Sequence, residues 1–203
     1  MIRSVVFDLG GVLIDWNPRY LYRKLFAGDD AAMEHFLAHV CNNAWNLAQD
    51  AGRRWADAIE VLSAEHPQHR PLISAYRERW DEMLNGPIHG TVDVLAELKD
   101  RGVPIYALTN WSSETFPIAR ERYDFLGWFR DILVSGDEKM VKPDPRIFEL
   151  LLSRNDLAAA ESVFIDDALH NVAGAQAAGM AALHFQSPEK LRSDLAVLGL
   201  LKG

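Results

Sequence analysis

Four short stretches of the chain each deliver a reactive side chain at or near the end of an apolar run. Val5-Val6-Phe7 stops on Asp8, followed by Leu9-Gly10-Gly11, and Ala107-Leu108 stops on Thr109-Asn110. Phe164-Ile165 stops on the paired acids Asp166-Asp167, and Lys142 stands just before Pro143-Asp144-Pro145. A carboxylate such as Asp8 can attack an electrophilic centre and hold it covalently, which divides one difficult displacement into two easier steps. The ammonium of Lys142 and the hydroxyl of Thr109 are donors suited to negative charge on an incoming group. Adjacent acids in a semi-buried cleft repel one another unless a cation lies between them or one keeps its proton. The residue types therefore suit chemistry on a negatively charged group, with either a bound cation or a retained proton at the acid pair.

The elements that must position these groups follow from the apolar pattern. A run that ends on an acid and then on glycines reads as a buried strand entering a tight, backbone-exposing loop. In open parallel α/β sheets ligands bind beyond the carboxyl ends of the strands, so Asp8 is placed to face one. Further strands are expected over 103–108, 132–135, 162–165 and 181–184. Helices are expected between them, one capped by Thr91 and ending at Arg101-Gly102, and one opened by Asp144 with Pro145 in its first turn. Another runs from about Asn171 to Ala178 and is stopped by Gly179. Such alternation predicts an α/β fold, a parallel sheet with helices on both faces.

Between the first strand and the rest lies a different pattern. Asn17-Pro18 opens a helix to about Phe26, and from Asp30 to about Leu84 only helix-period segments occur, broken near Asn42-Asn43, Asp50-Ala51-Gly52 and His66-Pro67. The glycine- and proline-containing stretch Asn85–Gly90 reads as a hinge back to the sheet. Residues 16–87 are thus expected to form an all-helical insertion, and residues 1–15 and 88–203 the α/β core. Trp45, Trp55, Tyr76 and Trp80 fit the interior of that insertion. The stretch Trp45–Asp50 mixes an aromatic ring with amides, and Trp45 is the substrate-contact candidate within it.

The order acid, hydroxyl, lysine and acid pair, from Asp8 to Gly179, resembles the four signature motifs of the haloacid dehalogenase (HAD) superfamily, in the subfamily with a helical cap inserted after the first motif. The resemblance implies a Rossmann-like core and a phosphatase similar to sugar 1-phosphatases and to the N-terminal phosphatase domain of epoxide hydrolases. It implies Asp8 as the nucleophile that becomes an aspartyl-phosphate, with Lys142 neutralising charge beside it. A Mg²⁺ ion is expected on Asp8, the carbonyl of Gly10, Asp166 and Asp167, and substrate contacts on Leu9, Gly10, Thr109 and Asn110. Asn171, about one turn beyond the acid pair, is expected either to orient Asp167 or its loop or to cap a helix.

One departure stands out. Phosphatases of the superfamily usually carry a second aspartate two residues after the nucleophile, where this chain has Gly10. Either Asp15 or no side chain takes over its proton transfer, and an acidic leaving oxygen, as in a sugar 1-phosphate, needs little help. Two other readings tolerate Gly10: an L-2-haloacid dehalogenase, in which halide leaves without a proton, and a non-catalytic phosphometabolite-binding protein.

Composition bounds the partners. The chain has 203 residues, 49% of them hydrophobic, with a formal net charge of −8. An acidic balance argues against a nucleic-acid footprint or an anionic membrane surface and leaves room for a single small anionic molecule, which the resemblance implies is a small phosphorylated metabolite. Cys41 is the single cysteine, which excludes an intrachain disulfide and suits a reducing cytoplasmic setting. Asp8 interrupts the first apolar run too early for a signal peptide, and Lys202-Gly203 is expected to fray.

Overall fold

In the computed structural model, residues 1–202 are described; Gly203, half of the expected frayed end, lies outside them. Strand β1 (Ser4–Phe7) is buried along its whole length. Val5 and Phe7 enter one apolar cluster and Val6 the other, so the strand feeds a core on each face of the sheet. With β2 (Ile14–Trp16), β3 (Leu84–Pro87), β4 (Ile105–Thr109), β5 (Ile132–Val134), β6 (Ser162–Asp166) and β7 (Ala181–His184), the chain builds two sheets. The larger has the order β5-β4-β1-β6-β7 and is parallel throughout. The α/β reading therefore holds.

The register of this sheet sets the site. Phe7 pairs with Ile165 and with Ala107, and the Asp8 amide donates to the Ile165 carbonyl at 2.8 Å. Asp8 and Asp166 consequently leave adjacent parallel strands at the same level. After β1 the chain builds outward through β4 to β5, then crosses back to β6 and β7. The reversal lies beside β1, which is where open sheets of this kind form their binding crevice.

The helical segment comprises Arg19–Leu25, Asp30–His39, Asn43–Asp50, Trp55–Glu65 and Arg70–Glu78. Its interior is aromatic: Trp55 stacks on Tyr76 with centroids 5.5 Å apart, and Trp45 meets both rings edge-on. Several bonds tie it to the rest of the chain, three of them at Trp55 and Asp50. Trp55 Nε1 donates to Ser112 Oγ at 3.0 Å, the Trp55 amide donates to Glu114 Oε1 at 3.0 Å, and Ser135 Oγ donates to the Asp50 carbonyl at 2.6 Å.

Several local expectations need correction. No strand is expected at 84–87, yet β2 and β3 pair antiparallel, Ile14 opposite Pro87 and Asp15 opposite Gly86, as a two-stranded ribbon. Thr91 does not cap its helix, which begins earlier (His89–Asp100); its side chain is buried, with no partner for its hydroxyl. Ser135 has left β5 and opens a short helix, Ser135–Glu138, with its hydroxyl donating to the Asp50 carbonyl. The helix at Pro18 starts with Pro18 as the capping residue, while Asn17 Oδ1 accepts from the Arg19 amide at 3.0 Å. The helix Pro145–Arg154 begins as expected, with the Asp144 side chain accepting from the Arg146 amide.

Candidate active site

Lys142 decides the geometry of the strand ends. Its side chain is buried, and its Nζ lies 2.9 Å from Asp8 Oδ1 and 2.7 Å from Asp166 Oδ2. A buried ammonium survives only if its charge is met, and here two carboxylates from adjacent strands meet it. Burial by itself would lower the Lys142 pKa, but the attraction of Asp8 and Asp166 outweighs it and the group is held above its ordinary value. Asp8 is pushed up to about 7, first by burial and then by the negative charge of Asp166 and Asp167, against the opposing pull of Lys142.

The third acid completes a cluster. Asp8, Asp166 and Asp167 each present an oxygen, and these oxygens lie within 4.8 Å of one another. Three carboxylates facing one lysine leave an excess of negative charge in a crevice walled by protein. All the donors are hard oxygens, the set that a small divalent cation such as Mg²⁺ prefers. The donor chemistry therefore fits such an ion. Gly11 shapes the approach: it adopts φ +75°, and a Cβ there would lie 2.4 Å from Asp167 Oδ2.

Supporting bonds fix the first layer. Asn171 Nδ2 donates to both oxygens of Asp166 at 3.1 Å, and the Ala168 amide donates to Asp166 Oδ1 at 2.8 Å. Asn171 thus orients Asp166, not Asp167, and it sits inside the helix Leu169–Ala177, not at its cap. Asn110 holds the Lys142 backbone from both sides, accepting from its amide at 2.8 Å and donating to its carbonyl at 3.1 Å. The Leu9 amide donates to Asp8 Oδ1 at 2.7 Å, so it steadies the carboxylate. Thr109 ends β4 and is buried.

A cavity of about 70 Å³ opens above these strand ends. Gly10 and Asn110 contribute from the core, Asn46 and Asp50 from the helix Asn43–Asp50, and Trp16, Trp80 and Trp111 form the apolar walls. Trp45, the sequence-based candidate, does not line it. Residues 46 and 50 are one helical turn apart and share the face toward the sheet, while Trp45 and Gln49 point into the helical segment. Asp15 does not line it either. Its Oδ2 accepts from Tyr20 Oη at 2.8 Å and from Asn85 Nδ2 at 2.9 Å, which engages it in the hinge ribbon.

Residues 2–179 match the family of haloacid dehalogenase-like hydrolases. The chain belongs to that family. As a HAD-like hydrolase it is 30% identical, over 182 residues, to a sesquiterpene phosphatase from Aspergillus oryzae, covering 90% of this chain and 89% of the relative. It is also 30% identical over 185 residues to a phosphoglycolate phosphatase from Yersinia pseudotuberculosis, covering 88% of this chain and 78% of that one. Among solved structures it is similar in fold to a HAD family enzyme from Bacteroides thetaiotaomicron, in complex with magnesium and inorganic phosphate, with a TM-score of 0.69 and 24% identity over 92% of this chain and 96% of that chain. The HAD-like assignment spans all four stretches, the three strand ends and the Lys142 loop, from Asp8 to Gly179. No helix among the described residues is long and apolar enough to cross a membrane.

Proposed function

We propose that this HAD-like hydrolase is a Mg²⁺-dependent phosphatase that releases phosphate from a small phosphorylated metabolite through an aspartyl-phosphate on Asp8. The observation that carries the reading is the Lys142 ammonium bonded at once to Asp8 and Asp166, with Asp167 completing a three-acid cluster. Phosphatase relatives at 30% identity support it over displacement of halide, which has no need of an added acid pair.

Asp8 supplies the attacking oxygen, which bonds to phosphorus as the ester bond breaks. Water then attacks the same phosphorus, freeing phosphate and regenerating Asp8. Lys142 offsets the charge gathered between Asp8 and the phosphoryl oxygens, and the Thr109 hydroxyl with the Gly10 and Asn110 amides are the remaining donors at the strand ends. Asp8, the carbonyl of Gly10, Asp166 and Asp167 would hold the Mg²⁺, which supplies further charge neutralisation when bound. Residues 16–87 act as a cap over the core of residues 1–15 and 88–203 and limit water at the crevice.

A sugar 1-phosphate is the finer proposal. Gly10 places no acid directly next to Asp8, and an anomeric oxygen, which needs less protonation than a primary alcohol, is the easier one to expel. The cavity suits a sugar as well, with indole faces for its C–H surface and the Asn46 and Asn110 amides for its hydroxyls. A phosphometabolite panel with and without Mg²⁺, run beside Asp8→Asn, tests the reading. Phosphate release that needs both Mg²⁺ and Asp8, and that favours 1-phosphates over 6-phosphates, is the expected result. Mg²⁺-independent turnover sinks the metal role, and a clear preference for the 6-phosphate sinks the sugar 1-phosphate.

A further inference from the structure

An acidic leaving group relieves only the first half of the reaction. The second half, attack of water on the aspartyl-phosphate, still calls for a base, and no side chain exists at Gly10 to serve. Asp15 is engaged elsewhere, in the ribbon between β2 and β3. The cavity above Gly10 contains one other acid, Asp50, the last residue of the helix Asn43–Asp50.

Resting on the phosphatase reading, we propose that Asp50, from the helical cap, is the general acid and base of the reaction, replacing the side chain missing at Gly10. Its backbone is anchored to the core by Ser135 Oγ, which also accepts from the Trp111 amide at 2.9 Å, next to Asn110. Its carboxylate accepts from Asn46 Nδ2 at 3.1 Å on the same cavity face. The carboxylate is thus fixed at the cap–core junction and does not swing on a surface loop. Two titratable groups face it: Lys142 from the loop before the helix Pro145–Arg154, and the buried Tyr76 phenol from the cap interior. Burial pushes the Asp50 carboxyl up to about 7, less the opposing effects of a backbone bond at Ser112 and the Lys142 charge. A group that titrates near neutrality can both give and take a proton, the requirement for a residue that acts in each half-reaction.

The steps balance. As an Asp8 oxygen bonds to phosphorus and the ester P–O bond breaks, the Asp50 carboxyl passes its proton to the departing oxygen, giving a neutral alcohol and an Asp50 carboxylate. The carboxylate then takes a proton from water, whose oxygen bonds to phosphorus as the Asp8–phosphorus bond breaks. Inorganic phosphate leaves, and Asp8 and Asp50 return to their starting states.

The test uses p-nitrophenyl phosphate and a sugar 6-phosphate with Mg²⁺, comparing wild type, Asp50→Asn, Asp50→Ser and the double variant Gly10→Asp/Asp50→Asn. The double variant has room, because a Cβ at Gly10 meets nothing within 4 Å and Gly10 lies outside the left-handed region. The expected result for Asp50→Asn with p-nitrophenyl phosphate is a burst of nitrophenol stoichiometric with enzyme, then a steady state slower by roughly 10²–10⁴, with phosphoenzyme trapped on quenching. With the 6-phosphate the burst itself is lost, and Gly10→Asp restores turnover on both substrates. Unchanged steady-state rates, a loss confined to KM, or a loss that Gly10→Asp does not repair overturns the proposal while leaving the phosphatase intact. A wild-type protein that releases no phosphate overturns both.

Discussion

Asn110 and Lys142 clasp one another through two hydrogen bonds, one from the Lys142 amide to Asn110 Oδ1 and one from Asn110 Nδ2 to the Lys142 carbonyl. This clasp joins the end of β4 to the loop that carries Lys142, the only cation among the described residues that touches Asp8. Asn110→Ala breaks both bonds and leaves two backbone groups to find new partners. The expected outcome is a stability loss of about 1–3 kcal/mol by denaturant titration. Because the Lys142 ammonium loses its fixed approach, kcat should fall by more than KM rises. A variant with wild-type kcat and wild-type midpoint would show the clasp to be dispensable.

Lys142 also serves stability. Replacing it by Met leaves Asp8 and Asp166 buried without their shared counter-charge, a change that costs about 3–5 kcal/mol in comparable buried pairs. In chelator the melting temperature of Lys142→Met should drop well below that of wild type. Added Mg²⁺ should then raise it by more than it raises the wild type, since the ion becomes the only neutralising charge for the acid cluster. Equal Mg²⁺ shifts in the two proteins would argue that the ion binds elsewhere.

Gly11 is spatially coupled to Asp167. Gly11→Ala places a methyl group at a position 2.4 Å from Asp167 Oδ2 and must hold φ +75°, a conformation costing about 1–2 kcal/mol for a residue with a Cβ. Asp167 must move away, so the apparent Mg²⁺ affinity measured by calorimetry should weaken, on the order of tenfold, while the fold is retained. Unaltered Mg²⁺ affinity would place the ion away from Asp167.

Asp50 sets a pH dependence of stability. Its folded pKa, about 7, lies above its ordinary value of 3.8, so the folded chain holds a proton that the unfolded chain releases. Stability is therefore lost as pH rises from about 4 to about 7, and the loss stays constant above that window. Asp50→Asn removes it. In chelator the variant should match the wild type near pH 4 and exceed it at pH 8 by on the order of 1–2 kcal/mol, after allowing for solvent reaching the cavity. Asp8 titrates in the same direction in both proteins and cancels in the difference. A pH-independent difference would show that the Asp50 carboxyl is freely hydrated.

Local chemistry alone fixed much of the molecule. A fully apolar run ending on Asp8, another ending on Asp166-Asp167, and an Asp144-Pro145 helix start are legible because burial on both sheet faces and helix capping are properties of a few consecutive residues. The order of the four stretches carried the family for the same reason, since each is a strand end or helix start complete in itself. Short pairings escaped: β2 and β3 have three and four residues, too few for any periodicity, and form only because residues about 70 apart meet. The facing of the helical segment also needed the tertiary structure. Helical spacing says that Asn46 and Asp50 share a face and that Trp45 does not, but only the anchoring of the Asp50 carbonyl by Ser135 and of Trp55 by Ser112 turns that face toward Gly10. Which acid meets Lys142, and that Asn171 steadies Asp166 and not its neighbour, depend on strand register across the sheet. Register is a long-range relation between chain segments, and no short stretch of residues encodes it by itself.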